Sequence, residues 1–147
     1  MPLTIRAAGF TDAEPLWHLA NDPAVRAASW NRASIPWDTH VTWLIRTVES
    51  SSARLYVGYI GAQMVGQARL DRSSSGITVS VAVAREERGK GYGLALIQRV
   101  TGLASSWAPG ARLWAEVRDG NTASRKAFDK AGYRGVLEEG GVWRYSR

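Results

Sequence analysis

The sequence predicts a single α/β domain built around a mixed sheet, and three observations carry that expectation. Apolar, β-branched runs of strand length alternate with segments of helical periodicity along the chain. One such run, Ile77-Thr78-Val79-Ser80-Val81-Ala82-Val83, passes through a glycine-rich turn into the helical pattern Leu94-Ala95-Leu96-Ile97-Gln98-Arg99-Val100. The 147 residues, 45% of them hydrophobic, are one domain's worth of chain, with no internal repeat or low-complexity linker to divide it.

Leu3-Thr4-Ile5-Arg6-Ala7 alternates and reads as the first strand. Thr11-Asp12-Ala13-Glu14 matches a capping box, and Pro15 falls in the first turn, where its missing N–H costs little. A helix through Leu16, Trp17, Leu19 and Ala20 follows, and Asn21-Asp22-Pro23 interrupts it and starts a short second helix. Ser34-Ile35-Pro36-Trp37 starts a third, with Trp37, Val41, Leu44, Ile45 and Val48 at helical spacing as its core stripe. Residues 54–60 and 63–70 read as an antiparallel hairpin around Gly61-Ala62, and 71–76 as a polar turn. Residues 77–83 form the next strand, and 94–106 the helix behind the glycine loop. Pro109-Gly110 breaks the chain before a strand over 113–118. Asp119-Gly120-Asn121 is a turn and helix start, with Asn121 as N-cap. Ala123, Ala127, Phe128 and Ala131 form the stripe of that helix, and Gly132 stands where a left-handed glycine ends it. Residues 133–137 and 142–145 close the chain as a hairpin over Glu139-Gly140-Gly141.

Composition narrows the function classes. Zero cysteines exclude disulfides, thiolate nucleophiles and cysteine metal sites, and two histidines, His18 and His40, are too few for a histidine metal site. There is no apolar run of membrane-spanning length, and Met1-Pro2-Leu3-Thr4-Ile5-Arg6 lacks a signal-peptide pattern, so no membrane partner is expected and the cytoplasm is the default location. The net charge of +6 is mostly arginine, scattered with no basic run. That favours a solvated surface attractive to an anionic cofactor over a nucleic-acid footprint.

The turn itself, Arg88-Gly89-Lys90-Gly91-Tyr92-Gly93, has the makings of a phosphate cradle. Its glycines let backbone N–H groups approach an anion, and the following helix N-terminus adds partial positive charge. The dinucleotide pattern G-x-G-x-x-G and the mononucleotide pattern G-x-x-x-x-G-K-[ST] both fail here, because Lys90 is followed by Gly91. What stands is R-x-x-G-x-G. Downstream, Asn121-Thr122-Ala123-Ser124-Arg125-Lys126-Ala127-Phe128-Asp129-Lys130-Ala131-Gly132-Tyr133 follows N-x-x-S-x-x-x-[YF]-x-x-x-G-[FY]. Both patterns, in this order, resemble the signatures of the GNAT N-acetyltransferases, and the likeness covers roughly residues 65–133.

The resemblance implies a mostly antiparallel sheet of about six or seven strands, flanked by helices, whose central parallel pair (77–83 and 113–118) splays to admit acetyl-CoA. It places the cosubstrate on Val81, Ala82, Val83, the whole Arg88–Gly93 loop, Asn121, Ser124 and Phe128, with Arg125 or Lys126 near the adenosine phosphates. The implied reaction is direct attack of an amine on the thioester, which calls for deprotonation, alignment and an oxyanion donor from the 77–83 strand. Catalytic candidates are Glu116, Ser80 and Asn121. Glu116 is either the general base or a strand carboxylate paired with Arg118 or Arg112; Ser80 either relays a proton or packs beneath the cosubstrate. Glu86 and Glu87 are expected in solvent. Many relatives carry a tyrosine acid where this chain has Phe128, so either Phe128 only packs against the pantetheine and another group supplies the proton, or the thiolate leaves unassisted, which a thiol pKa near 8.5 makes tolerable. Tyr92 and Tyr133 are the other tyrosines nearby.

For the acceptor, Asn21-Asp22-Pro23-Ala24-Val25-Arg26, His40-Val41-Thr42-Trp43 and Gly66–Asp71 resemble the branch that acetylates nucleotide-linked amino sugars. Trp30, Trp37 and Trp43 could stack on a base or sugar and Arg26 could pair with a diphosphate, although Trp37 and Trp43 flank a core stripe and are expected in the core. The alternatives are acetylation of a protein N-terminus and a non-catalytic acyl-CoA sensor. A monomer and a homodimer are equally open.

Overall fold

The computed structural model describes residues 2–29 and 31–147. One seven-stranded sheet organises the molecule in the order β1-β2-β3-β4-β5-β7-β6. Its strands are β1 (Leu3–Ala7), β2 (Ala53–Ile60), β3 (Gln63–Ser73), β4 (Gly76–Val83), β5 (Leu113–Arg118), β6 (Arg134–Glu138) and β7 (Val142–Ser146). Every neighbouring pair is antiparallel except β4 and β5, which are parallel.

The helices are α1 (Ala13–Ala20), α2 (Pro23–Ala28), α3 (Trp37–Glu49), α4 (Tyr92–Trp107) and α5 (Thr122–Lys130). Alternation along the strands divides their side chains between two faces. On one face, Leu70, Ile77, Val79, Ala115, Val117 and Tyr145 meet Leu96, Ile97 and Val100 of α4 and Phe128 of α5. On the other, Leu55, Val57 and Met64 meet Leu16 and Leu19 of α1 and Leu44 of α3. The glycine loop and α5 therefore share one layer, and α1 to α3 the opposite one.

The caps show why the site-bearing helices start and stop where they do. Asn121 Oδ1 accepts from the Ser124 amide at the start of α5 (3.3 Å). At its end Gly132 takes φ +89°, Tyr133 N–H donates to Phe128 O and Gly132 N–H to Asp129 O, a Schellman closure.

Several expectations shift. Asp12, not Thr11, stands at the N-cap position of the first helix, and its side chain does not cap it: the buried carboxylate is taken up by the Gly9 amide, both terminal nitrogens of Arg6 and the Tyr59 hydroxyl. The polar turn is shorter than 71–76: β3 runs on to Ser73, since Asp71, Arg72 and Ser73 pair with Thr78, Ile77 and Gly76. The core stripe of α3 is rotated. His40, Leu44 and Thr47 are buried, while Ile45 and Val48 are exposed and Trp37 is 41% exposed. A hydrogen bond from His40 Nε2 to Ala13 O (2.8 Å) fixes that rotation. Trp37 thus lies outside the core, and Trp43 is only partly buried against it.

Candidate active site

The parallel pairing of β4 with β5 ends almost as it begins. Only Ile77↔Leu113 and Thr78↔Trp114 are in register, although both strands continue, β4 to Val83 and β5 to Arg118. The Ile77 amide donates to Arg112 O on the β5 side (2.8 Å). Backbone groups alternate sides along a strand, so Val81 and Val83 also turn theirs toward β5, where no strand pairing meets them. Ala82 turns its own toward Gln67 of β3, its register partner. The gap therefore offers the strand-unpaired backbone of Val81 and the amide of Val83, which need a partner or water, while the Val83 carbonyl already accepts from Arg88.

The loop stands at the open end of this gap. Gly89 and Gly91 have φ of +78° and +86°, values a side chain resists, and a Cβ built on either would meet nothing within 4 Å. Gly91 is the N-cap of α4 and has no side chain to cap the first turn. The helix therefore begins with amides turned to open space, the arrangement an anion requires. These features fit a pyrophosphate.

The charges of the loop are already engaged. Arg88 donates to Asp22 Oδ1 (2.8 Å) and to Val83 O (3.2 Å). Asp22 also caps α2 by accepting from Ala24 and Val25. Burial alone would raise the Asp22 pKa; the Arg88 hydrogen bond and the backbone amides outweigh it and hold it below the usual value. Lys90 pairs with Glu87 (2.9 Å), so Glu87 is not the solvated carboxylate expected of it, and the pairing raises the Lys90 pKa. Tyr92 and Gly93 complete the loop as the first residues of α4, both half-buried.

Glu116 and Ser80 are both exposed, on the sheet face away from α4. Neither of the pairings expected for Glu116 forms. Arg118 spends its donors on Ala28 O and Ser29 O, and Arg112 lies on the Trp114 ring. Gln67 Oε1 is buried without a hydrogen-bond partner, and its residue shares this face.

On the other face, Asn121 and Ser124 are joined by the α5 cap. Phe128 is 3% exposed, edge-on to Tyr133 at 5.1 Å and stacked on Tyr145 at 5.6 Å. Tyr133 is buried with its hydroxyl 2.6 Å from Thr101 Oγ1, and desolvation raises its pKa. Arg125 is held by Asp119 and lies 4.0 Å over the Trp143 ring, while Lys126 is exposed.

Arg26, expected to pair with a diphosphate, has other work. Arg26 donates to Ala20 O, Asn31 O and Ser29 Oγ, tying α2 to the segment after it. Asn21 accepts from Ile35 N and donates to Ile35 O, and Trp17 Nε1 donates to the same carbonyl. Trp30 lies outside the described residues. What sequence reasoning missed is the Arg88–Asp22 link, formed across 66 positions, with no local signal to announce it.

The Acetyltransferase (GNAT) family profile matches residues 13–133. The chain belongs to this family. Solved structures agree in fold over nearly its whole length. The N-acetyltransferase of Staphylococcus aureus Mu50 has a TM-score of 0.87 at 21% identity, covering 100% of this chain and 98% of its own. The ribosomal-protein-alanine N-acetyltransferase of Brucella melitensis has 0.86 at 23%, covering 98% of each. The spermidine N-acetyltransferase of Vibrio cholerae, solved with CoA and spermine, has 0.85 at 18%, covering 99% and 94%. No curated protein sequence matches the chain. Among the described residues of this GNAT domain, no helix is long and apolar enough to cross a membrane.

Proposed function

We propose that the protein is an acetyl-CoA-dependent N-acetyltransferase acting on a primary amine. The observation that carries this reading is the early end of β4–β5 pairing at Thr78↔Trp114, directly below a glycine cradle at a helix N-terminus. When bound, acetyl-CoA supplies an acetyl thioester whose carbonyl carbon takes the amine and whose sulfur leaves as thiolate. The amides from Gly89 to Gly93 hold the pyrophosphate. Val81 and Val83 pair with the pantetheine amides, and the Val81 N–H is the donor placed for the thioester oxygen. Glu116 accepts the ammonium proton, directly or through water relayed by Ser80. Gln67 Oε1 is a spare acceptor for an amine hydrogen on the same face. Asn121 acts by capping α5. With Phe128 packed inside and the Tyr133 hydroxyl committed to Thr101, the thiolate leaves unassisted.

The acceptor is a small amine, with a nucleotide-linked amino sugar as the specific candidate. A peptide N-terminus is the second reading, favoured by the Brucella neighbour, whose name gives that acceptor. Release of free CoA is measured with amino sugars, nucleotide-linked amino sugars, peptides and polyamines side by side. Turnover with one class identifies the acceptor. Acetyl-CoA binding with no CoA release from any amine would leave a sensor, and a melt unmoved by saturating acetyl-CoA would overturn the cosubstrate.

A further inference from the structure

The sheet face that carries Glu116 has an ordered charge pattern. Across β5, β7 and β6, Trp114 is in register with Ser146 and Arg134, Glu116 with Arg144 and Val136, and Arg118 with Val142 and Glu138. These alternate positions share one face. The row at the closed end of the β4–β5 gap carries Arg134 and no carboxylate, while each row above it holds one carboxylate and one arginine, Glu116 with Arg144 and Glu138 with Arg118.

At the basic end two guanidiniums lie on one indole. Arg112 Cζ is 4.7 Å and Arg144 Cζ 4.5 Å from the Trp114 ring centroid. The indole is fixed in turn, since its Nε1 donates to Ser75 O (3.1 Å). Arg144 leans to this ring although Glu116 is its cross-strand partner, and the two form no ion pair. Among the described residues, Arg112, Arg134 and Arg144 make no side-chain hydrogen bond or ion pair. Stacking orders a guanidinium and leaves its in-plane N–H donors open, the arrangement that grips a phosphate or carboxylate with two bonds. A hollow of about 560 Å³ lies at the sheet edge beside this row, with Arg112, Arg134 and Ser146 toward it and Ser105 of α4, Leu113 and Arg147 toward the opposite face; it has no acidic lining, and Trp114, Arg144 and Glu116 stand outside it.

We propose that the acceptor is a small zwitterion, a primary amine that also carries a phosphate or carboxylate. The amine is received at Glu116 and the anion by Arg112 and Arg144 on Trp114. Trp114 and Glu116 are two residues apart on one strand, which sets amine and anion roughly 7 Å apart. This rests on the acetyl-transfer reading and narrows it, setting the protein apart from an acetyltransferase for a purely cationic polyamine.

Matched amines test it. Glucosamine 6-phosphate against glucosamine, phosphoethanolamine against ethanolamine, and 6-aminohexanoate against its amide are compared by kcat/KM at low salt, with spermidine as the cation. Phosphoethanolamine binding to the CoA-loaded protein is measured separately by calorimetry. The expected result is an anionic-to-neutral ratio of about tenfold or more, each well-made charged contact being worth that much. The ratio should fall toward unity in R112Q/R144Q and shrink with added salt in the unaltered protein. Which pair shows the larger ratio tells phosphate from carboxylate. Turnover without preference for the anion, or a preference that survives both R112Q/R144Q and high salt, overturns the proposal and leaves acetyl transfer standing. Arginine-dependent binding of phosphoethanolamine with no turnover of any amine upholds the anion site but overturns acetyl transfer, and with it the zwitterion's role as acceptor. The absence of any response to the anion, in binding and in turnover alike, overturns it outright.

Discussion

Between β4 and α5, the features that shape the site belong to the backbone. Two glycines at positive φ open the loop, an uncapped helix start faces it, and a strand pair parts after two registered residues. From β1 to α3, the deciding bonds are side-chain bonds that reach far along the chain. Asp12 gathers Arg6, Gly9 and Tyr59; Asn21 and Trp17 hold Ile35; Arg26 collects carbonyls from both its flanks. The contrast teaches that one region builds a cradle for a ligand from geometry, while the other builds a wall whose polar groups are consumed in holding its shape. Substitutions in the first should alter binding and turnover; substitutions in the second should alter stability.

The largest effect is expected at Glu116, the exposed carboxylate beside the gap. Glu116→Gln should lower kcat by roughly 10²–10⁴-fold, the range of a lost general base. It should also remove the acid limb of the pH–rate profile while acetyl-CoA affinity holds. Near-parental kcat would pass the proton to Ser80, to water, or to an acceptor that arrives neutral. Gly91→Asp comes next. It forces a side chain into φ +86° and points a negative charge at the cradle. At a hundredfold above its dissociation constant acetyl-CoA should stabilise the parent by about 2.7 kcal/mol. The variant should lose most of that, and an unchanged thermal shift would show that the loop does not hold the cosubstrate.

These two residues also mark how far the sequence could be read. Glycines at a strand-to-helix turn, Asn121 as a cap and Gly132 as a terminator are local necessities, so they are written locally and the structure repeats them. The strands were legible for the same reason, from alternation. The rotation of α3 was not, because it depends on one bond from His40 to a carbonyl 27 positions away. Nor was the fate of Arg26 and Asp22. Their pattern looked like ligand recognition, but the structure ties Arg26 to backbone carbonyls and Asp22 to Arg88. Arg112 and Arg144 lie far apart in sequence, and only the β5–β7 register and the Trp114 ring bring them together.

In the N-terminal region the effect should move to stability. Asp12 is 1% exposed and takes four hydrogen bonds, so Asp12→Asn should cost about 2–3 kcal/mol, less than a fully buried pair because Arg6 is half-exposed. Urea denaturation measures it, and a loss near zero would class the network with surface ion pairs. Acid should act in two windows. Burial lowers the His40 pKa below 6.5, so the unfolded chain takes up the proton first, and stability falls as pH drops from about 6.5 through the folded value. The Arg6 hydrogen bonds chiefly hold Asp12 below 3.8, so its contribution is present above 3.8 and is lost as pH falls through its folded value. Asp12→Asn should flatten the second window and leave the first. Loss of the first window instead would mean that His40 and Asp12 titrate as one unit.

The smallest effect on turnover is expected at Phe128, which sharpens the comparison because it is a packed residue inside the site-bearing region. Its ring is wedged between Tyr133 and Tyr145, and the Tyr133 hydroxyl is already paired with Thr101. Phe128→Tyr would place a hydroxyl in that interior with no partner prepared for it, at a cost of about 1–2 kcal/mol. If the thiolate leaves without an acid, kcat should stay within about twofold of the parent. The measurements are kcat with a saturating amine and urea denaturation of the same preparation. A tenfold rise in kcat with stability kept would place the hydroxyl at the sulfur. It would also show that the α5 stripe opens onto the gap, making Phe128 part of the chemistry rather than of the wall behind it.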